Sequence, residues 1–394
     1  MKLKNLLSVS AYDNTLTRLI PDLYAGIDVV SRELVGFIPS VTRNVSAERA
    51  AVGESIVFPI SNTMSSGNIT PSMTVPEPTD RTVGNDTIVI SKSKFAEFGW
   101  TGEEQRGLNN GPGALSIVGD QFAQAIRTLT NEIESDLAVE AAINASRAWG
   151  TAGTTPFATN TGETAQVRKI LDDNGCPGSD RSLVIDTTAG AALRTLSNLT
   201  RANEAGTTMT LRDGELLNLN GLSIKESAAV NSRAVGTASG ATTNAAGYAV
   251  GATSITLAAA GTGTILAGDI ITFAGDTNRY VVKTGAAAVS GATIVLQGPG
   301  LRVAIPASTT AITVVARATR NVAFTRSAMQ LVARAPALPN GSDAAIDRYM
   351  LTDPRSGLSF EVSVYQGYRK IRAEVALAWG VKAAKPAHIA TLLG

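Results

Sequence analysis

The sequence predicts an α+β fold in which helices and antiparallel strands occupy separate stretches of the chain. Three observations support this prediction. One helical periodicity runs through residues 115–147, five β-rich runs follow one another within residues 229–317, and alternating apolar residues mark two strands within residues 358–377. At 394 residues the chain can hold two or three compact units of about 100–200 residues each.

Composition and charge exclude several classes of function. The chain has 34 Lys and Arg against 33 Asp and Glu, so no overall field would draw it to nucleic acid or anionic lipid. Charged residues make up 17%, below the roughly 25% of an average protein, which predicts a neutral surface or one covered by partners. Cys176 and His388 are single, so we expect no disulfide framework and no His/Cys metal cluster.

We therefore interpret Cys176 as a structural loop residue and His388 as an ordinary residue near a mobile chain end. No P-loop occurs, because Gly is never followed by Lys, and Leu266 stands where a dinucleotide fingerprint needs its third glycine. The N-terminal apolar run is too short for a signal peptide, and no run is apolar enough to span a bilayer. We predict no catalytic, cofactor or metal-binding residues.

The first hundred residues predict an arm and a hairpin. Apolar residues at helical spacing indicate an amphipathic helix within residues 15–39, which Pro39 ends. Residues 51–60 and 87–100 are strand-like and flank a polar stretch, which predicts a projecting β-hairpin. Because an isolated two-stranded hairpin is marginal in water, it should need another surface to lie on.

The helix predicted at residues 115–147 would be about 50 Å long and apolar on one face. Its other face carries Glu132, Asp136 and Glu140, which mildly repel one another at a spacing of four residues. We interpret this acidic face as solvated or partner-facing, with a catalytic carboxylate pair as the alternative.

A mixed region follows the long helix. We predict a helix ending at Asn174 and Gly175, a short strand at residues 182–185, a further helix, and a strand pair around Asn220 and Gly221.

From residue 234 to residue 316 the chain becomes rich in Gly, Ala and Thr and poor in charge. Five β-rich runs separated by turns predict a small sandwich or barrel rather than a linker or a membrane segment. Such an insertion should begin and end at neighbouring points on its host. The closing β-hairpin should turn at Gln366 and Gly367.

Several phrases, in this order along the chain, resemble the major capsid (coat) protein of tailed bacteriophages, in the short-tailed branch whose coat carries an inserted β-barrel. They are "AVGESIVFPI", "TIVISKSKFAEFGWTGEE", "LDDNGCPGSDRSLVIDTTAGAAL", "NVAFTRSAMQLVARAPALP" and "SGLSFEVSVYQGYRKIRAEVALAWGVKAAKPAHIATLL". Together these phrases span almost the whole chain.

The resemblance implies the coat-protein fold with a division into named parts. They are an N-terminal arm (1–50), an extended loop (51–107), a peripheral domain with a spine helix (108–150), an axial domain (151–228), an inserted β-barrel (229–317), the axial return (318–335) and peripheral strands (336–394).

The function implied is self-assembly into pentamers and hexamers of an icosahedral shell around double-stranded DNA. The implied partners are other copies of the chain, a separate scaffolding protein, a portal protein at one vertex, and DNA held weakly and non-specifically, with no membrane. The chain would assemble in the host cytoplasm and reside in the virion, and it would not be an enzyme. The candidate inter-subunit contact residues are Lys92, Lys94, Trp100, Asp269, Asp276, Arg279 and Lys283.

Lys92 and Lys94 fall in the region where another branch of the family cross-links subunits through a lysine, although ordinary surface lysines are the alternative. The alternative function from the residues alone is a self-assembling surface or adhesin-like protein, suggested by the Ala/Thr/Gly-rich β region. An enzyme of the Glu/Asp-dependent hydrolase type is a further alternative.

Overall fold

The computed structural model describes residues 34–45, 48–60, 68–69, 71, 73, 84–109, 114–196, 218–340, 343–353 and 356–394. The helices are α1 (Gly102–Asn109), α2 (Ala114–Ile143), α3 (Gly162–Asp173) and α4 (Thr187–Arg194). The strands of the first half are β1 (Thr42–Val45), β2 (Ser55–Ile60), β3 (Gly84–Val89), β4 (Lys92–Thr101), β5 (Arg147–Trp149), β6 (Arg181–Ile185), β7 (Asn218–Leu219) and β8 (Leu222–Glu226). The strands of the second half are β9 (Ser254–Thr256), β10 (Ile270–Phe273), β11 (Arg279–Thr284), β12 (Thr293–Leu296), β13 (Ile312–Val314), β14 (Arg320–Thr325), β15 (Met329–Arg334), β16 (Ala345–Thr352), β17 (Ser359–Gly367), β18 (Lys370–Ala383) and β19 (Ile389–Leu393).

Two large sheets pack against the long helix α2, which confirms the predicted α+β class. One sheet has the order β1-β15-β18-β17-β16, with β4 also paired to β18. The other runs β13-β10-β11-β5-β19-β14-β6-β8-β7, with β12 on β11 and β9 on β12. The apolar face of α2, including Ile126, Leu129, Ile133 and Leu137, forms the main core with side chains from both sheets. Helix α2 has 30 residues and is therefore about 45 Å long.

The central strands of the larger sheet are buried on both faces. Every residue of β6, β14 and β19 is buried. Along β14, Val322 and Phe324 enter the main core, whereas Ala323 enters a second core with α3 and α4. Strands covered on both faces lose the polar alternation of a half-exposed strand.

The extended region differs in part from the predicted hairpin. Strands β2 and β3 form an antiparallel pair, as expected, but the returning chain continues into β4, which pairs along its whole length with β18. The hairpin also has a small core, in which Ile88 and Ile90 are buried against Val332 and Ala378. The surface that the hairpin needs is therefore supplied, at its base, by the same chain. The polar stretch between the two strands lies largely outside the described residues.

All five β-rich runs within residues 229–317 form strands, and their pairings follow a ring. Strand β13 pairs with β10, β10 with β11, β11 with β12, and β12 with β9. Bridges from Thr243 to Leu257 and from Thr242 to Ala311 then link the β9 side to the β13 side. Ser232 and Thr319 form a bridge, so this segment begins and ends at neighbouring points. Its identity as an inserted barrel domain stays a prediction, which these pairings support.

This β-rich segment is joined to the host sheet, because β11 pairs with β5. Ile270 and Val281 face the main core, while Ile271, Tyr280 and Val282 belong to the segment's own core.

Several boundaries differ from the prediction. Helix α2 ends at Ile143, since the chain then becomes β5 and pairs with β11 and β19. Residues 318–335 form β14 in the larger sheet and β15 in the six-stranded sheet, and their assignment as the axial return stays a prediction. The turn between β17 and β18 lies at Tyr368 and Arg369, because Gly367 already pairs with Lys370. The strand pair around Asn220 and Gly221 is confirmed, and the predicted arm helix lies largely outside the described residues.

The expectation of a mobile C-terminus is wrong. Strand β19 lies between β14 and β5, and Ile389 and Leu392 are fully buried. His388, which precedes the strand, is half-buried, and its Nδ1 has no hydrogen-bond partner in the described part of the chain. Burial, with the nearby charges of Lys385 and Arg181, holds the pKa of His388 below its ordinary value of 6.5.

We expect His388 to make stability dependent on pH. In the unfolded chain His388 binds a proton near pH 6.5, whereas the folded chain does so only at lower pH. Its contribution to the free energy of unfolding is therefore complete above about pH 6.5 and is lost as the pH falls through the pKa of His388 in the folded chain. Urea unfolding of the wild type and of His388→Gln at about pH 7.5 and pH 5.5 should show a steeper loss in the wild type. Equal losses would contradict the prediction, and Lys385→Gln should give an intermediate loss.

Candidate assembly surface

The pair β2–β3 has one buried and one exposed face. Side chains alternate along both strands, so Ile56 and Ile88 point towards β15 and β18. On the opposite face Val57 is 60% exposed and Val89 is 48% exposed. We call Ser55, Val57, Pro59, Asn85, Thr87 and Val89 the outer hairpin face. Its apolar residues are Val57, Pro59 and Val89, and they lie on a sheet of only two strands.

The base of the hairpin is fixed by Lys382 of β18. Its Nζ donates to the Asp86 carboxylate and, at 2.7 Å, to the carbonyl of Thr87. Partial burial alone would raise the pKa of Asp86, but the hydrogen bond and charge of Lys382 outweigh it and lower that pKa. The hairpin is thus held at one end, while its outer face stays open.

A second exposed surface lies on β16, the last strand of its sheet. Ile346, Tyr349, Met350 and Leu351 are all exposed. Strand β16 pairs only with β17 within the described ranges, so its other edge presents free backbone groups. Such an edge is a template for pairing with another chain.

The structure gives Lys92, Lys94 and Trp100 partners within the subunit. Lys92 Nζ lies 2.9 Å from Glu132 Oε1 and 2.8 Å from Asp136 Oδ1, and Lys94 Nζ lies 2.6 Å from Glu132 Oε1. Burial alone would lower the pKa of Lys92, but its hydrogen bonds to Asp136 and Glu132 raise it. Trp100 packs against the main core. A contact from these residues to a neighbouring subunit stays a prediction.

The acidic face of α2 is covered by the chain itself, and the expectation of a solvated or partner-facing side is wrong. Asp136 Oδ2 accepts a hydrogen bond of 2.9 Å from Trp379 Nε1, and Glu140 accepts one of 3.1 Å from the backbone of Ala383. With Glu132 bound to β4, the three carboxylates each hold a strand of the six-stranded sheet to the helix.

The four candidate residues of the β-rich segment fall into two groups. Asp269 is fully buried, and its Oδ2 accepts from two backbone N–H groups, so it is an internal residue rather than a surface contact. Asp276 accepts from Tyr280 Oη at 2.6 Å and so orders its own loop. Arg279 is half-exposed and Lys283 exposed, and both remain candidate contacts.

Sequence reasoning missed Glu134, which lies on α2 and is only 2% exposed. Its Oε1 accepts hydrogen bonds from Gly36 N at 2.6 Å, Phe37 N at 2.7 Å and Ser227 Oγ at 2.7 Å, and its Oε2 accepts from Ile38 N at 3.0 Å. The carboxylate therefore joins the end of the arm to the long helix and to the segment after β8. Nothing in the local sequence distinguishes Glu134 from a surface glutamate.

We expect Glu134→Gln to destabilise the subunit by about 3 kcal/mol, because an amide removes the charge and places an NH₂ group against a backbone donor. Urea unfolding measures this loss, and hydrogen exchange at residues 36–38 should become faster. The matched control is Glu140→Gln on the same helix, which accepts one backbone hydrogen bond and should lose about 1 kcal/mol. Equal losses of unfolding free energy in the two variants would contradict the prediction that the hydrogen bonds of Glu134 stabilise the subunit more than the bond of Glu140 does.

Within the described ranges, no group of three or more His, Cys, Asp or Glu residues could hold a metal ion. None of the helices described is both long enough and apolar enough to cross a membrane.

No protein-family model and no curated protein sequence matches the chain. Its fold is similar to solved structures of phage capsids. One is the capsid of the cyanophage P-SCSP1u, at 14% identity over 94% of this chain and 91% of that chain, with a TM-score of 0.49. Another is the mature capsid of bacteriophage PhiM1, at 13% identity over 93% of this chain and 89% of that chain, with a TM-score of 0.42. A third is the capsid of the Myoviridae phage XM1, at 12% identity over 96% of this chain and 98% of that chain, with a TM-score of 0.40.

Proposed function

We propose that this chain is the major capsid protein of a tailed bacteriophage, which assembles into pentamers and hexamers of an icosahedral shell around double-stranded DNA. The observation that carries the proposal is the outer hairpin face, with Val57 60% exposed on a two-stranded sheet. Apolar surface that is open in the subunit gains about 25 cal/mol for each Å² that a neighbour covers. The occupant we propose is a second copy of this chain.

The open edge of β16 supports the same proposal. It lies on the six-stranded sheet that anchors the hairpin through β18, so both surfaces are fixed to one rigid element. When two different surfaces of identical subunits meet, the contacts form a ring if the rotation from one subunit to the next closes. A hairpin face and a strand edge are two such surfaces.

The balance of charge supports enclosure of DNA rather than tight binding to it. With 34 basic and 33 acidic residues, the shell would offer few uncompensated cations to phosphates. Many phosphate contacts would produce strong, salt-sensitive binding that opposes packaging and release.

The sequence resemblance supports the remaining parts of the proposal. These are a separate scaffolding protein, a portal protein at one vertex, assembly in the host cytoplasm and residence in the virion. The resemblance also supports a structural rather than an enzymatic function.

We expect the chain, produced with its scaffolding partner, to form closed shells visible by negative-stain electron microscopy. A double variant, Val57→Asp with Val89→Asp, should lower the shell yield at least about tenfold, because covering a carboxylate without a partner costs several kcal/mol. Thermal unfolding of the variant subunit should stay within a few degrees of the wild type, since both side chains are already exposed.

The matched control is Val250→Asp, another exposed valine, which lies in the β-rich segment. It should leave the shell yield within about twofold of the wild type. An equal loss of shells from the control and the hairpin variant would contradict the assignment of the hairpin as the contact. A wild-type chain that stays monomeric with every partner present would contradict the capsid function itself.

A further inference from the structure

A cavity of about 310 Å³ lies outside the surfaces described above, between α2, the start of the β-rich segment and β14. One wall is apolar and formed by Ala138, Val139 and Ala142 of α2. The opposite wall is formed by residues 229–234 and by Arg320 of β14.

Two guanidinium groups line this cavity, and both have unused donors. Arg320 is 4% exposed and uses Nη1 to donate to the carbonyl of Gly268 at 3.0 Å, whereas its Nε is buried without a partner. Arg233 also has a buried nitrogen, Nη1, without a partner. No carboxylate within the described ranges lies at ion-pair distance from either group. Buried donors that are not used cost free energy, so a partner for them is expected.

The charges around the cavity do not cancel. Within the described ranges the acidic group beside these arginines is Asp269, whose Oδ2 accepts from the backbone N–H groups of Gly236 and Leu266 and whose Oδ1 is buried without a hydrogen-bond partner. Burial lowers the pKa of Arg320 to about 10; the charge of Asp269 opposes this shift, and the charge of Arg233 adds to it by less than Asp269 opposes it. Two arginines therefore stand beside one carboxylate, so one positive charge has no counter-charge at a cavity in which Arg320 is buried and Arg233 is half-exposed.

We propose that this cavity binds an oxyanion, a carboxylate or a phosphate, held by Arg233 and Arg320, with the apolar wall of α2 receiving a short aliphatic part of the ligand. The planar fork of arginine donors matches both kinds of oxyanion, and charge-assisted bonds of this type are the strong ones. The bound anion links α2, the start of the β-rich segment and β14. It therefore strengthens the junction at which residues 229–317 leave and rejoin the host, and it is independent of the hairpin contact.

The test is ligand-dependent thermal unfolding of the isolated full chain. Inorganic phosphate and butyrate are titrated separately against sodium chloride at equal ionic strength, because a ligand that binds only the folded state raises its unfolding temperature. We expect a saturable rise with at least one of the two anions. Arg233→Gln should weaken the apparent affinity at least about tenfold, and Arg302→Gln, an exposed arginine of the same segment, should leave it unchanged.

A second variant, Val139→Phe, keeps both arginines and fills the apolar wall, so it should also weaken binding, and butyrate more than phosphate. A rise with phosphate alone identifies a phosphate site, and a rise with butyrate identifies a carboxylate site with an apolar end. Either result supports the proposal. No saturable rise with either anion, or the same rise in Arg233→Gln as in the wild type, overturns it.

Discussion

The buried carboxylate of Glu134 is the constraint on which the rest of the subunit depends. A buried charge must be fully hydrogen-bonded, and its four donors come from the end of the arm and from the segment after β8. The approach is close enough that a Cβ on Gly36 would lie 2.8 Å from the carbonyl oxygen of Glu226. With that register fixed, Phe37 stacks on Phe324 at 5.9 Å, and the main core fills the space between α2 and both sheets.

The larger sheet has central strands buried on both faces, whereas the six-stranded sheet carries exposed apolar side chains. Residues that stabilise the subunit are therefore different from residues that are available for assembly. Strands β6, β14 and β19 are buried on both faces, so substitutions there act on folding. Strand β16 and the outer hairpin face expose apolar side chains, so substitutions there leave the core intact. Strand β18 belongs to both groups, because Trp379 is fully buried against α2 while Lys382 holds the hairpin. Strand β18 is therefore one of the elements that connect the hairpin to the core, together with β15 and β4.

The elements that sequence could predict are those with a local period. The apolar stripe of α2, the alternation in β2 and β17 and the turn-separated runs of the β-rich segment all have one. Strand β19, "IATLL", has none, because it is buried on both faces. The prediction that the acidic face of α2 is solvated or partner-facing is wrong for another reason. Its partners lie 40 residues away at Lys92 and 243 residues away at Trp379 and Ala383, and no local pattern reveals such pairs. Glu134 is the extreme case, since its environment is set entirely by tertiary structure.

The pairing of β11 with β5 changes how the β-rich segment should be understood. An appended contact module would touch its host only at its ends, but here Ile270 and Val281 complete the main core. Without β11, the edge of β5 would be open to pairing with other chains. The buried Asp269 supports the same conclusion, because it orders the backbone within the segment instead of facing a neighbour. The first contribution of this segment is therefore to the folding of its own subunit, and any contact with neighbours falls to exposed residues such as Lys283.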